Sequence, residues 1–282
     1  MKRTLILSAA AIMFAACCSQ PKFDGPVYLN PNAPVEERVE DALARMTLEE
    51  KVGQMTQLNA TVIADGTDIT PKGDSLLRYH KVGSVLNAPG DCAQTPEDYC
   101  RFVSEINVIS LEACGIPTLY GLDHIHGTSY IAGGILFPQE VNIAATFNRE
   151  HAYNMGKVAA YESRAANVPW TFSPTMDLGR NPSWSRMWES FGEDVYVNAE
   201  MAVAEVRGMQ GDDPNNVGPY HIAACAKHFA VHSGPEATRH GFDAIASLKD
   251  MYETYLPAFE KTVKSGVAGV MGAYNRTNGE AC

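Results

Sequence analysis

Short apolar, β-rich runs alternate with longer helical patterns along almost the whole chain, and no other feature restricts the fold as strongly. The candidate strands are "VGSVL" at 82–86, "IPTLYGLD" at 116–123, "VPWTFSPTMDL" at 168–178, "HIAACAKHF" at 221–229 and "VAGVMGAY" at 267–274. Between them lie "PEDYCRFVSEINVISLEAC", "NREHAYNMGKVAAYESRAA", "VYVNAEMAVAEVRGMQG" and "LKDMYETYLPAFEKTVKSG". Repetition of strand, helix, strand implies a parallel sheet, closed as a (β/α)8 barrel or open and doubly wound. No Gly-rich dinucleotide fingerprint follows any of the strands, which removes the usual sign of the doubly wound form. The expected fold class is therefore α/β, a (β/α)8 TIM-type barrel, with about five of its strands visible before Cys282 and so incomplete in this chain.

The N-terminal segment stands apart. Lys2-Arg3, the apolar run "TLILSAAAIMFAA" and then Cys17-Cys18-Ser19 describe an export signal, and the run is too short to span a membrane. Cys17, directly after Ala15-Ala16, resembles the lipidated cysteine of a bacterial lipobox, with Phe14 where Leu is commoner. The expectation is an exported protein of the periplasm or cell envelope, held to a membrane through a lipid on Cys17. Residues 1–18 are read as this signal, 19–34 as a Pro/Asn-rich linker and 35–282 as one domain. That domain opens on a helical hairpin: Val35, Val39, Ala42, Leu43 and Met46 recur at helical spacing, and Thr47-Leu48-Glu49-Glu50 is a capping box for a second helix.

Charge and cysteine usage exclude other classes. With 22 Lys+Arg against 33 Asp+Glu, the formal charge of −11 leaves no basic face for nucleic acid. Past the signal, Cys92, Cys100, Cys114, Cys225 and Cys282 form no CxxC pair and no zinc-ribbon spacing. Cys92 and Cys100 are close enough in sequence to pair in an oxidising compartment, with separate buried thiols as the other reading.

The polar residues fall where a barrel would gather them. Asp123 ends the second candidate strand, Asp177 and Arg180 follow the third, Lys227 and His228 end the fourth, and Tyr274 and Asn275 end the fifth. The C-terminal ends of parallel barrel strands converge on one face, so residues distant in sequence meet there. His124 and His126 share one side of an extended segment, which fits either a metal pair of a barrel metallohydrolase or two histidines that orient their neighbours. A core lysine is rarely tolerated unpaired, so Lys227 reads as functional. Successive strand side chains point to opposite faces, so Lys227 and His228 address one pocket only if the backbone between 226 and 230 is irregular, through a bulge or a cis peptide. A sugar suits such a set, because its hydroxyls need fixed donors and acceptors.

These residues lie in motifs that resemble glycoside hydrolase family 3. "RVEDALARMTLEEKVGQM", "GSVLN", "IPTLYGLDHIHG", "LFPQEVNIAATFN", "FSPTMDLGRNPSWSRMWESFGED", "RGMQG", "ACAKHFAVHSG" and "GVMGAYNRTNGEAC" match its first domain in order and spacing, from about Val35 to Cys282. The resemblance implies a barrel or collapsed barrel that holds the terminal sugar through Asp123, Arg180, Lys227 and His228. It also implies Tyr274 beside the catalytic nucleophile and Met271 near the next subsite, with His232 and His240 supporting a loop. An oligosaccharide or β-glucoside is the implied substrate, hydrolysed from its non-reducing end with retention, and no cofactor is implied.

The family's nucleophile resembles an Asp at an "SDW"-type strand end, which by this resemblance lies beyond Cys282, and its acid/base lies in a later domain. None of the residues present is thus expected to be catalytic. Asp123 in "YGLDHIHG" matches glucosidases, whereas "HSGPEATRHGFDA" leans toward xylosidases, and Arg239-His240-Gly241 replaces the "DSH" loop of the branch that removes N-acetylglucosamine. The main expectation is β-glucosidase and the second β-xylosidase. A sugar-binding lipoprotein without catalysis and a metallohydrolase using His124 and His126 remain as readings of another class.

Overall fold

The structure, a computed structural model, describes residues 23–213, 216–234 and 242–282. The lipobox cysteine Cys17 and the loop residues Arg239, His240 and Gly241 lie outside the described residues. Two compact units divide the chain at Thr47 and Leu48. In the first, a single turn at Val27–Leu29 precedes helix α1, Val35–Arg45. The Tyr28 amide donates to Asp41 at 3.0 Å and Arg38 donates to the Tyr28 carbonyl at 3.0 Å, which ties the turn to the helix.

The second unit begins at α2, Leu48–Met55, so the structural boundary falls at 48, whereas the sequence pattern put it at 35. Six parallel strands follow in chain order: β1 Gln57–Asn59, β2 Ser84–Leu86, β3 Leu119–Leu122, β4 Trp170–Thr171, β5 Cys225–Phe229 and β6 Gly269–Gly272. The register runs from Leu58 against Val85, to Val85 against Tyr120, to Leu122 against Thr171. Single bridges, Trp170 to Ala223 and Thr175 to Lys227, carry the array on to β5, which pairs with β6 through Lys227 and Met271. Spatial order equals chain order, with no point at which the winding reverses, as barrel winding requires and a doubly wound sheet does not allow.

The strands of this array are shorter than the apolar runs that announce them, and among the described residues the array has one more than the five expected. In 168–178 only Trp170–Thr171 pairs as a strand, because Pro169 and Pro174 have no N–H to give a ladder. The additional strand, β1, has three residues and no β-branched side chain.

Helices fill the connections: α3 Pro71–Arg78, α4 Pro96–Cys114, α5 Glu140–Ala144, α6 Arg149–Ala165, α7 Val195–Gln210 and α8 Pro257–Lys264. Thr70, Thr95, Asn148 and Asp194 cap α3, α4, α6 and α7 by accepting from the first-turn amides. The run expected as one helix at 248–264 is broken ahead of Pro257, where Met251–Tyr255 winds as a π-helix. Helices α6 and α7 cross closely at glycine: a Cβ on Gly208 would meet the Tyr153 carbonyl oxygen at 2.1 Å. Tyr99, Phe102, Ile106, Tyr120 and Leu122 pack the core between α4 and the first strands. Among the described residues no cysteine forms a disulfide, so Cys92 and Cys100 do not pair.

Candidate active site

The cleft of about 710 Å³ opens where the strands end. Asp123, Phe172 and Tyr274 follow β3, β4 and β6 and line it together with Lys227, His228 and Met271. The peptide bonds Lys227-His228 and Phe229-Ala230 are cis, and the pairing of β5 with β6 slips between Lys227 and Phe229. This is the irregular backbone expected at 226–230, and both side chains line the one cleft.

Lys227, although 2% exposed, keeps a partner: its ammonium donates to the carboxylate of Asp123. Burial of an ammonium is costly without such a pair. His228 is equally buried and holds Asp177 at 2.7 Å through Nδ1. A carboxylate accepts, so Nδ1 carries the proton, and Nε2 is left to accept from Arg186 Nη1 at 3.2 Å. Arg186 is gripped from its other edge by Glu189, with Nε donating at 2.7 Å and Nη2 at 2.6 Å. Burial works against the Arg186 charge, but the Glu189 carboxylate outweighs it and holds the guanidinium more firmly protonated than usual. One hydrogen on each terminal nitrogen remains beyond these contacts, a pair of donors on a fixed plane.

Arg186 takes the place expected of Arg180. Arg180 is exposed, donates to the Glu193 carbonyl at 3.1 Å and lines a separate depression with Asn181, Ser233 and Asp250. The reason lies in the loop "NPSWSRMWES". Trp184, 1% exposed, anchors it in the interior, and the turn at Met187–Glu189 then presents Ser185, Arg186, Trp188 and Glu189 to the cleft. Gln57 and Tyr130 also line the cleft without having been singled out in the sequence. Glu189 was legible only as the residue three positions after an arginine.

The histidine pair of "DHIHG" does not converge. His124 is fully buried, its pKa pushed down to about 4 by burial, while His126 holds the Phe137 carbonyl at 2.8 Å through Nδ1. Among the described residues no group of three His, Cys, Asp or Glu side chains is placed to hold a metal ion. His232 is buried against His228, ring centroids 4.6 Å apart, and edge-on to Trp184, and it meets Asn275 at 3.3 Å. It supports the loop behind the cleft and does not line it. Tyr274 is 58% exposed at the rim, its ring 5.9 Å from that of His228.

A parallel array wound in barrel order, with a cleft of paired charges at its strand ends, agrees with a family profile. The profile described as the glycosyl hydrolase family 3 N terminal domain matches residues 47–282. The chain belongs to glycosyl hydrolase family 3. It is 34% identical over 248 residues to the lysosomal beta glucosidase of Dictyostelium discoideum, covering 83% of this chain and 30% of that protein. It is 31% identical to the putative beta-xylosidase of Formosa agariphila, covering 99% of this chain and 37% of that protein, and 29% identical to the periplasmic beta-glucosidase of Salmonella typhimurium, covering 86% and 29%. Among solved structures it resembles the beta-glucosidase from Listeria innocua in complex with glucose, with a TM-score of 0.71, 30% identity, and 87% of this chain and 34% of that chain covered. The exo-1,3/1,4-beta-glucanase from Pseudoalteromonas gives a TM-score of 0.77, 28% identity, and 87% and 31% covered. The chain thus spans about a third of the length of the curated relatives it matches.

Proposed function

We propose that this chain carries the sugar-binding part of an exo-acting, retaining β-glucosidase, which removes terminal non-reducing β-D-glucosyl residues from oligosaccharides and β-glucosides. The observation that carries the reading is the set of fixed polar pairs that present Lys227, His228 and Arg186 to one cleft: Asp123 holds Lys227, Glu189 holds Arg186, and the buried Asp177 accepts from the neutral His228. Asp123, 28% exposed, accepts from two adjacent hydroxyls while its other lone pairs hold Lys227. The remaining hydrogens of Arg186 and Lys227 donate to sugar oxygens, Met271 bounds the sugar toward the next subsite, and Tyr274 stands at the rim where the nucleophile would approach. Because Asp123 and Glu189 are each engaged by a cation and the buried Asp177 accepts from His228, none of the three is the attacking group. The nucleophile and acid/base of retaining chemistry, about 5 Å apart, are two further carboxyl groups.

The relatives named as β-xylosidases favour a second reading, β-D-xylosyl residues in the same cleft. Binding of D-glucose and D-xylose by calorimetry, together with turnover of aryl β-glucoside and β-xyloside by the full polypeptide, decides between them. Loss of neither binding nor turnover in Lys227→Ala would overturn both.

The N-terminal segment completes the proposal with export and a lipid on Cys17, and one relative is named as periplasmic. Palmitate labelling lost in Cys17→Ala supports the anchor, and labelling unchanged in that variant overturns it.

A further inference from the structure

Two acidic side chains outside the cleft have no role in the reading so far. Glu140, the first residue of α5, and Glu205, on the inward face of α7, are both 0% exposed. Glu140 Oε2, both carboxyl oxygens of Glu205 and Thr175 Oγ1 are buried without a hydrogen-bond partner. The fourth carboxyl oxygen, Glu140 Oε1, accepts only a long contact of 3.5 Å from the Thr175 amide.

Their surroundings are apolar. Ile143 and Ala144 lie one turn from Glu140 and Met201 and Ala202 one turn from Glu205, and all four belong to the same core cluster. That cluster also contains Met176, beside Thr175, and Ala226, beside Lys227, and Thr175 bridges to Lys227. Lys227 from β5 acts electrostatically on both carboxyls, and Glu205 and Glu189, the latter from the loop after β4, act on Glu140. Desolvation and mutual repulsion disfavour two ionised carboxylates in such a place. Burial pushes both well above the usual carboxylate range, and only Lys227 and the Thr175 amide pull the other way.

The consequence reaches the cleft through Lys227, the one ammonium within influence of both the pair and Asp123. We propose that Glu140 and Glu205 are positioning residues of the sugar site: as a protonated pair they leave the Lys227 ammonium to Asp123, and loss of a proton draws that ammonium inward and loosens Asp123. The effect on sugar affinity rests on the sugar-binding reading, but the coupling between the carboxyls does not. Affinity for a neutral sugar then falls on the alkaline side as the pair ionises, with no titration of a group that touches the sugar.

The test follows the carboxyl carbons of the ¹³C-labelled chain by NMR through a pH titration, with Asp123 assigned by its loss in Asp123→Asn. The Asp123 resonance is expected to shift on the alkaline side in step with Glu140 and Glu205, and that shift is expected to be lost in Glu140→Gln/Glu205→Gln. An identical Asp123 titration in both proteins overturns the proposal. If the double variant does not fold, Glu205→Gln alone and the infrared spectrum of the unaltered chain decide it: absence of a protonated carboxyl band at neutral pH overturns it equally. Calorimetry with D-glucose runs beside these. An affinity that falls over the same step and becomes flat in the variant is the expected result, and an affinity with no such step counts against positioning. Absence of glucose binding at every pH counts against the sugar reading, while the carboxyl titration still judges the pair.

Discussion

Asp123 and Lys227 are each placed by the other. The ammonium is buried with little besides that carboxylate to hold its charge in the cleft, so Asp123→Ala removes a proposed sugar ligand and also strands a buried cation. The variant is expected to lose sugar affinity and about 3–5 kcal/mol of stability, whereas Asp123→Asn, which keeps an acceptor for Lys227, is expected to lose the affinity with a smaller drop in Tm. Unaltered affinity and Tm in Asp123→Ala would remove Asp123 from the site. These two residues were legible in sequence because each sits at the end of an apolar run, where a charged side chain has no packing reason to be. The arginine was not. Arg180 and Arg186 lie in one irregular loop with no periodicity to show which side chain turns inward, and burial of Trp184 decides it. Arg186→Ala is therefore expected to cost about 1.5–3 kcal/mol of sugar binding, the range of a hydrogen bond to a charged group, and Arg180→Ala close to nothing. Calorimetric titration of the two variants checks this, and the reverse order would restore Arg180.

At the scale of elements, helices were easier to read than strands. The pattern "PEDYCRFVSEINVISLEAC" coincides with α4, because Thr95 and Gly115 mark its ends chemically as well as by periodicity. Strand β1 has no such marks, and its three residues are recruited by pairing with β2 and not by propensity. Neither does helical periodicity say that α7 would turn a carboxyl inward at Glu205, on a buried face that also carries Asn198, Met201, Ala202, Val206 and Met209. That choice has a pH signature. The folded-state pKa of Glu205 lies above its ordinary value of 4.5, so above that pH the native state holds a proton that the unfolded state has lost. Stability is therefore lost as pH rises from 4.5 toward the folded-state value, and Glu205→Gln removes this loss. Thermal unfolding at acid and neutral pH is expected to show the variant gaining on the parent as pH rises. Parallel curves for the two proteins would mean that Glu205 is solvated in solution.

For the whole molecule the question is whether this chain binds a sugar without hydrolysing one. Hydrolysis with retention needs an ionised carboxylate free to attack carbon and a second carboxyl able to give and take a proton. Asp123 is committed to Lys227, Glu189 to the Nε and Nη2 edge of Arg186, and the buried Asp177 to His228. Moving Asp123 or Glu189 onto a sugar carbon would leave a buried cation unpaired, at a cost of several kcal/mol before chemistry begins, and moving Asp177 would leave His228 Nδ1 without its acceptor. Binding has no such obstacle, because these same pairs fix the donors and acceptors before the sugar arrives, so little ordering remains to oppose association. The 282-residue chain is therefore expected to bind D-glucose or D-xylose with an affinity that Lys227→Ala lowers, and to show no turnover of an aryl β-glucoside above that same variant. Binding that depends on Lys227, measured by calorimetry beside a turnover assay that does not, is the result expected of a sugar-holding domain. Turnover that depends on Lys227 in this chain would show that one of the three carboxylates leaves its partner to attack, and the assignment of all three as fixed partners would fall with it.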